Sequence, residues 1–174
     1  MISFELPPHY AGWGLTPVTR FSAQQNLLRR RQCGHIVVEH SRLVAIYARW
    51  WPYFGNLLQA ACDQRCRHQM DRCELYFHVP WTAPHFLTLS YIRSGIKTTP
   101  ATVMAACKVL EEIAKLKNSV AIVSHITNDR ISDRVMERWG WETHCPSLPG
   151  RHFIKRFYGK YPSVSEAWRV RLGL

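Results

Sequence analysis

The sequence predicts an α/β or α+β protein with a single mixed β-sheet flanked by helices. Short runs of β-branched and aromatic residues recur along the chain, and amphipathic helical stretches separate several of them. The second half follows the order strand, helix, strand, helix, strand, which favours packing of helices on one sheet. The chain has 174 residues, 47% of them hydrophobic, which suits one domain with a sizeable core.

The N-terminal part divides into an arm and the start of the domain. Residues 1–34 are rich in Pro, Gly, Trp and Arg and have no sustained hydrophobic period, so we expect an arm or irregular layer there. A single domain is expected over residues 35–174. The runs His35–Glu39 and Leu43–Tyr47 are typical of short strands. An apolar and cysteine stripe at helical spacing then predicts a helix over residues 53–72.

The middle of the chain predicts a hairpin and a helix. Glu74–Val79 alternates between two faces as a strand does, and His85–Ile92, the most apolar run, is typical of the next strand. The two prolines between them indicate a turn. Thr99 and Pro100 place a capping hydroxyl before a proline at the first helical position. The apolar positions that follow have three- and four-residue spacing, which predicts an amphipathic helix over residues 100–117.

The last part predicts two further strands and two helices. Ser119–Ile126 is typical of a buried strand, and residues 128–139 of a helix that Gly140 ends. Arg151–Tyr158 alternates aromatic and basic side chains, which predicts the last strand. Residues 164–172 are expected to form a short helix.

The charge and the cysteine content limit the classes of partner and ligand that we expect. The net charge is +11, and Arg151–Leu174 holds six Lys and Arg residues against one acid. Such a surface attracts polyanions, so a nucleic acid or an acidic protein is the expected partner, and solvated arginine faces are the alternative. The six cysteines include no C-x-x-C pair, which favours free thiols over a zinc site. Twelve acids also make a carboxylate metal site unexpected.

The chain has no apolar run near the ~20 residues of a membrane span, so no membrane association is expected. The opening residues, MISFELPPHYAG, have neither the basic nor the apolar region of a secretory signal. We therefore expect a cytoplasmic location. The oligomeric state is not set by the sequence.

The run TNDRISDRVMERWGW, together with the element order over about residues 86–158, resembles the GNAT acetyltransferase superfamily. Asn128, Gly140 and Trp141 stand where that family has an Asn, a Gly and an aromatic residue. The resemblance implies a mixed sheet whose fourth strand splays from the fifth and binds acetyl-CoA, or another acyl-CoA, between them. The run Phe86–Ile92 would be the fourth of these strands.

Two positions depart from the family pattern. KTTPAT stands where the family has a glycine-rich pyrophosphate loop, so Lys97, Thr98, Thr99 and Thr102 are the cofactor-binding candidates. A helix N-terminus can bind phosphate without glycines, and ordinary helix capping is the alternative. Met136 stands where many members have a tyrosine that protonates the departing thiolate, and a methionine cannot do so.

Three residues are catalytic candidates: His125, Asn128 and Tyr158. His125 ends a predicted strand at the expected splay and could take a proton from an amine, with a core histidine as the alternative. His78, His85 and Glu74 surround a tryptophan-bearing turn, which predicts either a substrate lip or a plain hairpin.

The last predicted strand is a candidate nucleic-acid or anion-binding surface. Its proposed binding residues are Arg151, Phe153, Lys155 and Arg156. Rings and cations that share one face suit a base and its phosphate. The alternative is a strand with one core face and one solvated face. Two functions follow as hypotheses. One is a GNAT-like acyltransferase that acts on an amine, and the other is an inactive GNAT-fold basic module that binds nucleic acid or a ribonucleoprotein.

Overall fold

The computed structural model describes residues 16–49, 70–126 and 131–174. These residues form eight strands: β1 (Thr16–Val18), β2 (Cys33–Glu39), β3 (Arg42–Arg49), β4 (Arg72–His78), β5 (Phe86–Ser94), β6 (Ala121–Ile126), β7 (Glu142–Thr143) and β8 (Arg151–Arg156). They also form four α-helices: α1 (Gln25–Arg30), α2 (Pro100–Leu116), α3 (Asp133–Arg138) and α4 (Glu166–Leu172). The strands make one mixed sheet in the order β1-β3-β2-β4-β5-β6-β8-β7, which confirms the predicted α+β class.

Residues 16–34 differ from the irregular layer that their composition predicts. β1 pairs antiparallel with β3, and a 3-10 turn over Ser22–Gln24 leads into α1. Phe21, between them, is buried in the core. β1 is three residues long and contains Pro17, so it is too short to show a hydrophobic period.

β2 and β3 form the expected pair of strands, joined as a tight hairpin. Glu39 pairs with Arg42, and the two residues between them, His40 and Ser41, have φ of 48° and 61°. Positive φ at both loop positions matches the right-handed twist of a hairpin. The Ser41 N–H donates to Thr102 Oγ1 at 3.0 Å, which fixes the turn against the start of α2.

The helix predicted over 53–72 lies almost entirely outside the described residues. At its end the prediction is wrong, because Arg72 begins β4. Cys73 is accordingly buried on a strand and not on a helical stripe. The predicted strand over 74–79 is confirmed with its alternation, since Leu75 and Phe77 belong to the hydrophobic core.

α2 covers one face of the sheet and begins where predicted. The Thr99 side chain accepts from the Thr102 N–H at the helix start, and Pro100 occupies the first turn. The helix packs on β2, β3 and β4. Its buried side chains, including Leu110 and Ile113, meet the core side chains of the strands. Each such buried side chain stabilises the fold by about 1.5–3 kcal/mol.

The connection through α2 makes β5 and β6 parallel, whereas the other described strand pairs are antiparallel. The predicted strand over 119–126 is confirmed as β6. α3 is shorter than the predicted 128–139: residues 127–130 are outside the described part, and Ser132 has extended backbone. Gly140, with φ of 79°, follows its end as expected.

β8 and α4 confirm the last predicted strand and the short C-terminal helix, with bounds that differ by a few residues. In the described ranges, no helix has both the length and the apolar character that a membrane crossing needs. Cys33, Cys73, Cys107 and Cys145 are free thiols, and the first three are buried.

Candidate functional site

The parallel strands β5 and β6 separate at the centre of the sheet. They pair from Phe86 opposite Ala121 to Leu89 opposite Ser124. β5 then continues to Ser94 and β6 to Ile126 with no further pairing between these two strands, all of whose residues are described. We call the region beyond this last pair, at the carboxyl ends of the two parallel strands, the strand gap.

A β-bulge in β5 lies where the strand gap opens. In the β4–β5 ladder, Phe77 pairs with Leu89 and Tyr76 with Tyr91, so Ser90 is an extra residue. A bulge bends its strand and redirects side chains, and bulges are common next to active sites. The bulge thus lies at the residue that follows the last β5–β6 pair.

Ser90 is hydrogen-bonded to a histidine of the neighbouring strand. The distance from Ser90 Oγ to His78 Nδ1 is 2.7 Å, and both side chains are half-buried. Burial lowers the pKa of His78 below its ordinary value of 6.5. The imidazole is therefore neutral at pH 7 and able to accept a proton.

His125 lies on the opposite side of the strand gap. Leu89 pairs with Ser124, so the residues that follow them, Ser90 and His125, are the first residues of β5 and β6 beyond the last pair. The His125 side chain is exposed, so it is not the core histidine of the alternative interpretation. Its ring stacks on His152 with centroids 4.4 Å apart, and Gly150 lies so close that a Cβ there would be 2.4 Å from His125 Nε2.

A row of rings crosses four strands and ends at the strand gap. We call it the aromatic row: Tyr47 on β3, His35 on β2, Tyr76 on β4 and Tyr91 on β5. His35 is stacked between Tyr47 and Tyr76, with centroids 5.7 and 4.1 Å away, and Tyr91 meets Tyr76 edge-on at 6.1 Å. Directly paired cross-strand positions bring these rings together.

Glu74 is a buried carboxylate beside the aromatic row, on the same face of the sheet, and is only 1% exposed. It lies 3.0 Å from His35 Nε2 and accepts hydrogen bonds from Arg72 Nε at 2.6 Å and from the Tyr76 hydroxyl at 3.2 Å. Burial alone would raise its pKa, but the His35 hydrogen bond and the charges of Arg72 and Arg93 hold the pKa well below its ordinary value of 4.5. Glu74 therefore stays ionised and anchors the row.

The start of α2, which holds three of the cofactor-binding candidates, already carries an anion. The Asp71 carboxylate accepts from the Thr99 N–H and from Thr102 Oγ1, each at 2.8 Å. Burial would raise the pKa of Asp71, but these hydrogen bonds lower it. Thr98 donates to the Arg72 carbonyl at 2.7 Å. This is the ordinary capping of the alternative interpretation, and a phosphate there would have to displace the carboxylate. Lys97 is exposed in the preceding turn.

The candidate anion surface on β8 is largely neutralised. Phe153 is 2% exposed, so it belongs to the core and offers no ring face to a base. Lys155 donates to Glu111 at 2.5 Å and to the Trp139 carbonyl at 2.6 Å. The two arginines of the strand also have acidic partners: Arg151 pairs with Asp133, and Arg156 with Glu142. Phe153 and the next residue, Ile154, are both buried, so both faces of β8 are covered at its middle and no residue of the strand is fully exposed.

Tyr158 and His125 are not brought together. Arg156, two residues before Tyr158, pairs with Ala121, and His125 is four residues further along β6, about 13 Å away. Tyr158 is 78% exposed and lines a separate cavity of about 510 Å³, together with Phe86 and Ile154. Asn128 lies outside the described residues. Met136 is buried in the core.

In comparisons with known proteins, no protein-family model matches this chain, and no curated protein sequence matches it. The function is therefore argued from the strand gap and the side chains around it.

Sequence reasoning identified His125 but not Ser90, His35 or Tyr47 as members of this region. The signal for His35 was present, because residues 35, 74, 76 and 78 are polar or aromatic at alternate positions of two strands. Such positions share a face when the strands pair. Ser90 had no local signal, since its place depends on a bulge that only the β4–β5 register defines.

Proposed function

We propose that this protein is a GNAT-like acyltransferase that binds an acyl-CoA in the strand gap and transfers the acyl group to an amine. The observation that carries the proposal is the separation of β5 from β6 after Leu89 and Ser124. Ligands of open sheets with parallel strands bind in crevices at the carboxyl ends of those strands. The succession β5, α2, β6, α3 is also the order that the GNAT resemblance implies.

The strand gap has the chemistry to hold a pantetheine arm. Where two strands separate, backbone N–H and C=O groups that would pair between them become free for a ligand. A pantetheine arm carries two amide groups and can be bound there in the manner of an added strand. The acyl thioester at its end would then lie beside residues 90 and 125.

Catalysis would rely on positioning and on backbone donors that polarise the thioester carbonyl. His125 is exposed beside the strand gap and suits the removal of a proton from the ammonium form of the acceptor, which leaves the neutral amine that attacks. Tyr158 is too far from His125 to share this step, so we omit it from the proposed site. Asn128 stays a prediction, because it lies outside the described residues.

A second candidate, the basic binding module, is favoured by the occupancy of the α2 N-terminus. Asp71 fills the place where a pyrophosphate would bind. A fold that had lost its cofactor site would look like this at that helix. In this case nucleic-acid binding would rest on cations outside β8, such as the exposed Arg169 and Arg171 of α4.

Calorimetry and hydrogen–deuterium exchange with acetyl-CoA and with acetyl-pantetheine test the first candidate. We expect heat of binding and slowed exchange at residues 90–94 with both ligands. If the pyrophosphate also reaches α2, Asp71→Asn will tighten acetyl-CoA alone, and Lys97→Ala will weaken it. Lys115→Ala, an exposed lysine at the other end of α2, is the matched control.

The two candidates give opposite results. Absence of both heat and protection at millimolar acetyl-CoA would exclude the acyltransferase. RNA affinity that falls steeply with salt, in a protein that does not bind acetyl-CoA, would support the basic module. Weakening of that affinity by Arg171→Gln but not by Arg156→Gln would place the nucleic-acid surface on α4.

A further inference from the structure

We infer that Ser90 is a nucleophile, activated by His78, that receives the acyl group before the final acceptor does. The inference rests on the proposed function for the identity of the acyl donor. It adds a covalent step on the enzyme, in which the Ser90 oxygen forms an ester with the acyl carbon.

The first support is geometry. A nucleophilic serine needs a base within about 2.6–3.2 Å, and Ser90 Oγ is 2.7 Å from His78 Nδ1. The two residues come from adjacent strands, β4 and β5, so rigid sheet pairing holds the pair in place. A loop would hold it less firmly.

The second support is the protonation state of the base. His78 must be neutral to take a proton, and its burial favours the neutral form. Because His78 is only half-buried, the pair also remains reachable by a small acyl donor.

The third support is position. Ser90 is the first residue of β5 beyond its last pair with β6, and it is the extra residue of the bulge. A serine at an ordinary position of a strand pair would be accommodated without a bulge. Here the bulge lies at the first residue of β5 beyond its last pair with β6, next to the place proposed for the thioester.

The inference also supplies the missing acid. Met136, at the position of the usual tyrosine, is buried and cannot donate a proton, and Tyr158 is remote. With a serine nucleophile, His78 takes the Ser90 proton as the oxygen–acyl bond forms. It then gives that proton to the sulfur as the carbon–sulfur bond breaks, so the thiol leaves neutral.

The second half-reaction reverses these roles. The acceptor amine attacks the ester carbon, and the carbon–oxygen bond to Ser90 breaks. The proton lost by the amine passes through His78 to the Ser90 oxygen, which regenerates the hydroxyl. His125, the first residue of β6 beyond its last pair with β5, is exposed and is proposed to meet the incoming amine.

The test is rapid acid quench followed by peptide mass spectrometry, with acetyl-CoA and separately with p-nitrophenyl acetate as donor and no acceptor present. We expect one acetyl group on Ser90 with both donors and none in Ser90→Ala. His78→Gln should slow acetylation by about 10²–10⁴-fold, the usual contribution of a general base. Thr88→Val is the matched control, because Thr88 pairs with His78 in register and is not the proposed nucleophile.

The outcomes separate this inference from the proposed function. If acetyl-CoA slows exchange at residues 90–94 but neither donor acetylates Ser90, the nucleophilic role of Ser90 is overturned and the acyltransferase proposal stands. Acetylation of Ser90 by p-nitrophenyl acetate alone, without acetyl-CoA binding, supports the nucleophile and excludes the proposed donor. Equal acetylation of exposed serines, or an unchanged rate in a folded His78→Gln variant, overturns the inference. Circular dichroism establishes the fold of each variant.

Discussion

Glu74→Gln tests whether the buried charge beside the aromatic row holds four strands together. The substitution keeps the side chain's size but removes its charge. It also turns one acceptor oxygen into an NH₂ group. That group must face either Arg72 on one side or His35 and Tyr76 on the other, all of which are donors to Glu74 in the native protein.

The expected cost follows from the burial of the partners. The Glu74 side chain is 2% exposed, and those of Arg93 and Arg72 are 12% and 26% exposed. Removal of one member of a buried ion pair costs about 3–5 kcal/mol, because the other charge is left uncompensated. The partly exposed Arg72 places our expectation at the lower end. A loss of about 3 kcal/mol lowers the Tm of a domain of this size by ~6–12 °C.

The effect should also depend on pH with a defined sign. The native pKa of Glu74 is below its ordinary 4.5, so the unfolded chain takes up this proton first as pH falls. The stability that Glu74 contributes is therefore complete well above pH 4.5 and declines below it. The Glu74→Gln variant lacks this titrating group. The difference in free energy of unfolding between the native protein and the variant should therefore narrow below about pH 4.5.

Urea unfolding at pH 7 and at pH 3.5–4 measures both effects. Glu142→Gln is the control, since Glu142 is 53% exposed and its pair with Arg156 should be worth about 0–1 kcal/mol. The proposed role of the Glu74 charge would be refuted if Glu74→Gln lowered the free energy of unfolding by less than about 1 kcal/mol at pH 7. It would also be refuted if the difference in free energy of unfolding did not change with pH.

Two further predictions concern a glycine and a cap. Gly150→Ala should lower the free energy of unfolding by about 2–3 kcal/mol, because φ of Gly150 is 100° and an added Cβ would clash with the His125 ring. Gly159→Ala, with φ of 77° and no described atom within 4 Å, should cost only about 1 kcal/mol in the same thermal unfolding assay. Equal losses would contradict the role of the contact. Asp71→Asn should lower stability at pH 7 by about 1–2 kcal/mol through loss of a charged cap at α2, and should flatten the decline of stability on acidification. An unchanged urea midpoint would count against that cap.

The fold was predictable where local chemistry decides the element. Thr99 and Pro100 define the start of α2, and the alternation of β4 places Leu75 and Phe77 in the core. β1 was not predicted, because three residues with a proline have no period and are held by pairing with β3. The start of α3 was misplaced, since Asn128 and Ser132 are both acceptable caps.

The site was predictable only in part, because its members meet through strand register. His125 was identified from its place at the end of β6, whereas its relation to Ser90 depends on the pairing of Leu89 with Ser124, the last pair of β5 and β6. Phe153 was assigned to a binding surface, but alternation alone does not say which face of a strand is covered. The Asp71 cap joins residues 28 positions apart, a separation at which sequence pattern carries no signal.

The short outer strands bear on how this protein behaves at high concentration. β1 and β7 stand at the two ends of the strand order, with three and two residues, and both β7 residues are exposed. Long unpaired edges invite strand addition from other molecules, whereas very short edges, prolines and charges discourage it. Pro17 in β1 and Glu142 in β7 add both of those features. As far as the structure describes them, these two outer strands are thus poorly suited to edge-to-edge polymerisation, and extension of β7 by strand-forming residues should make the protein prone to aggregate.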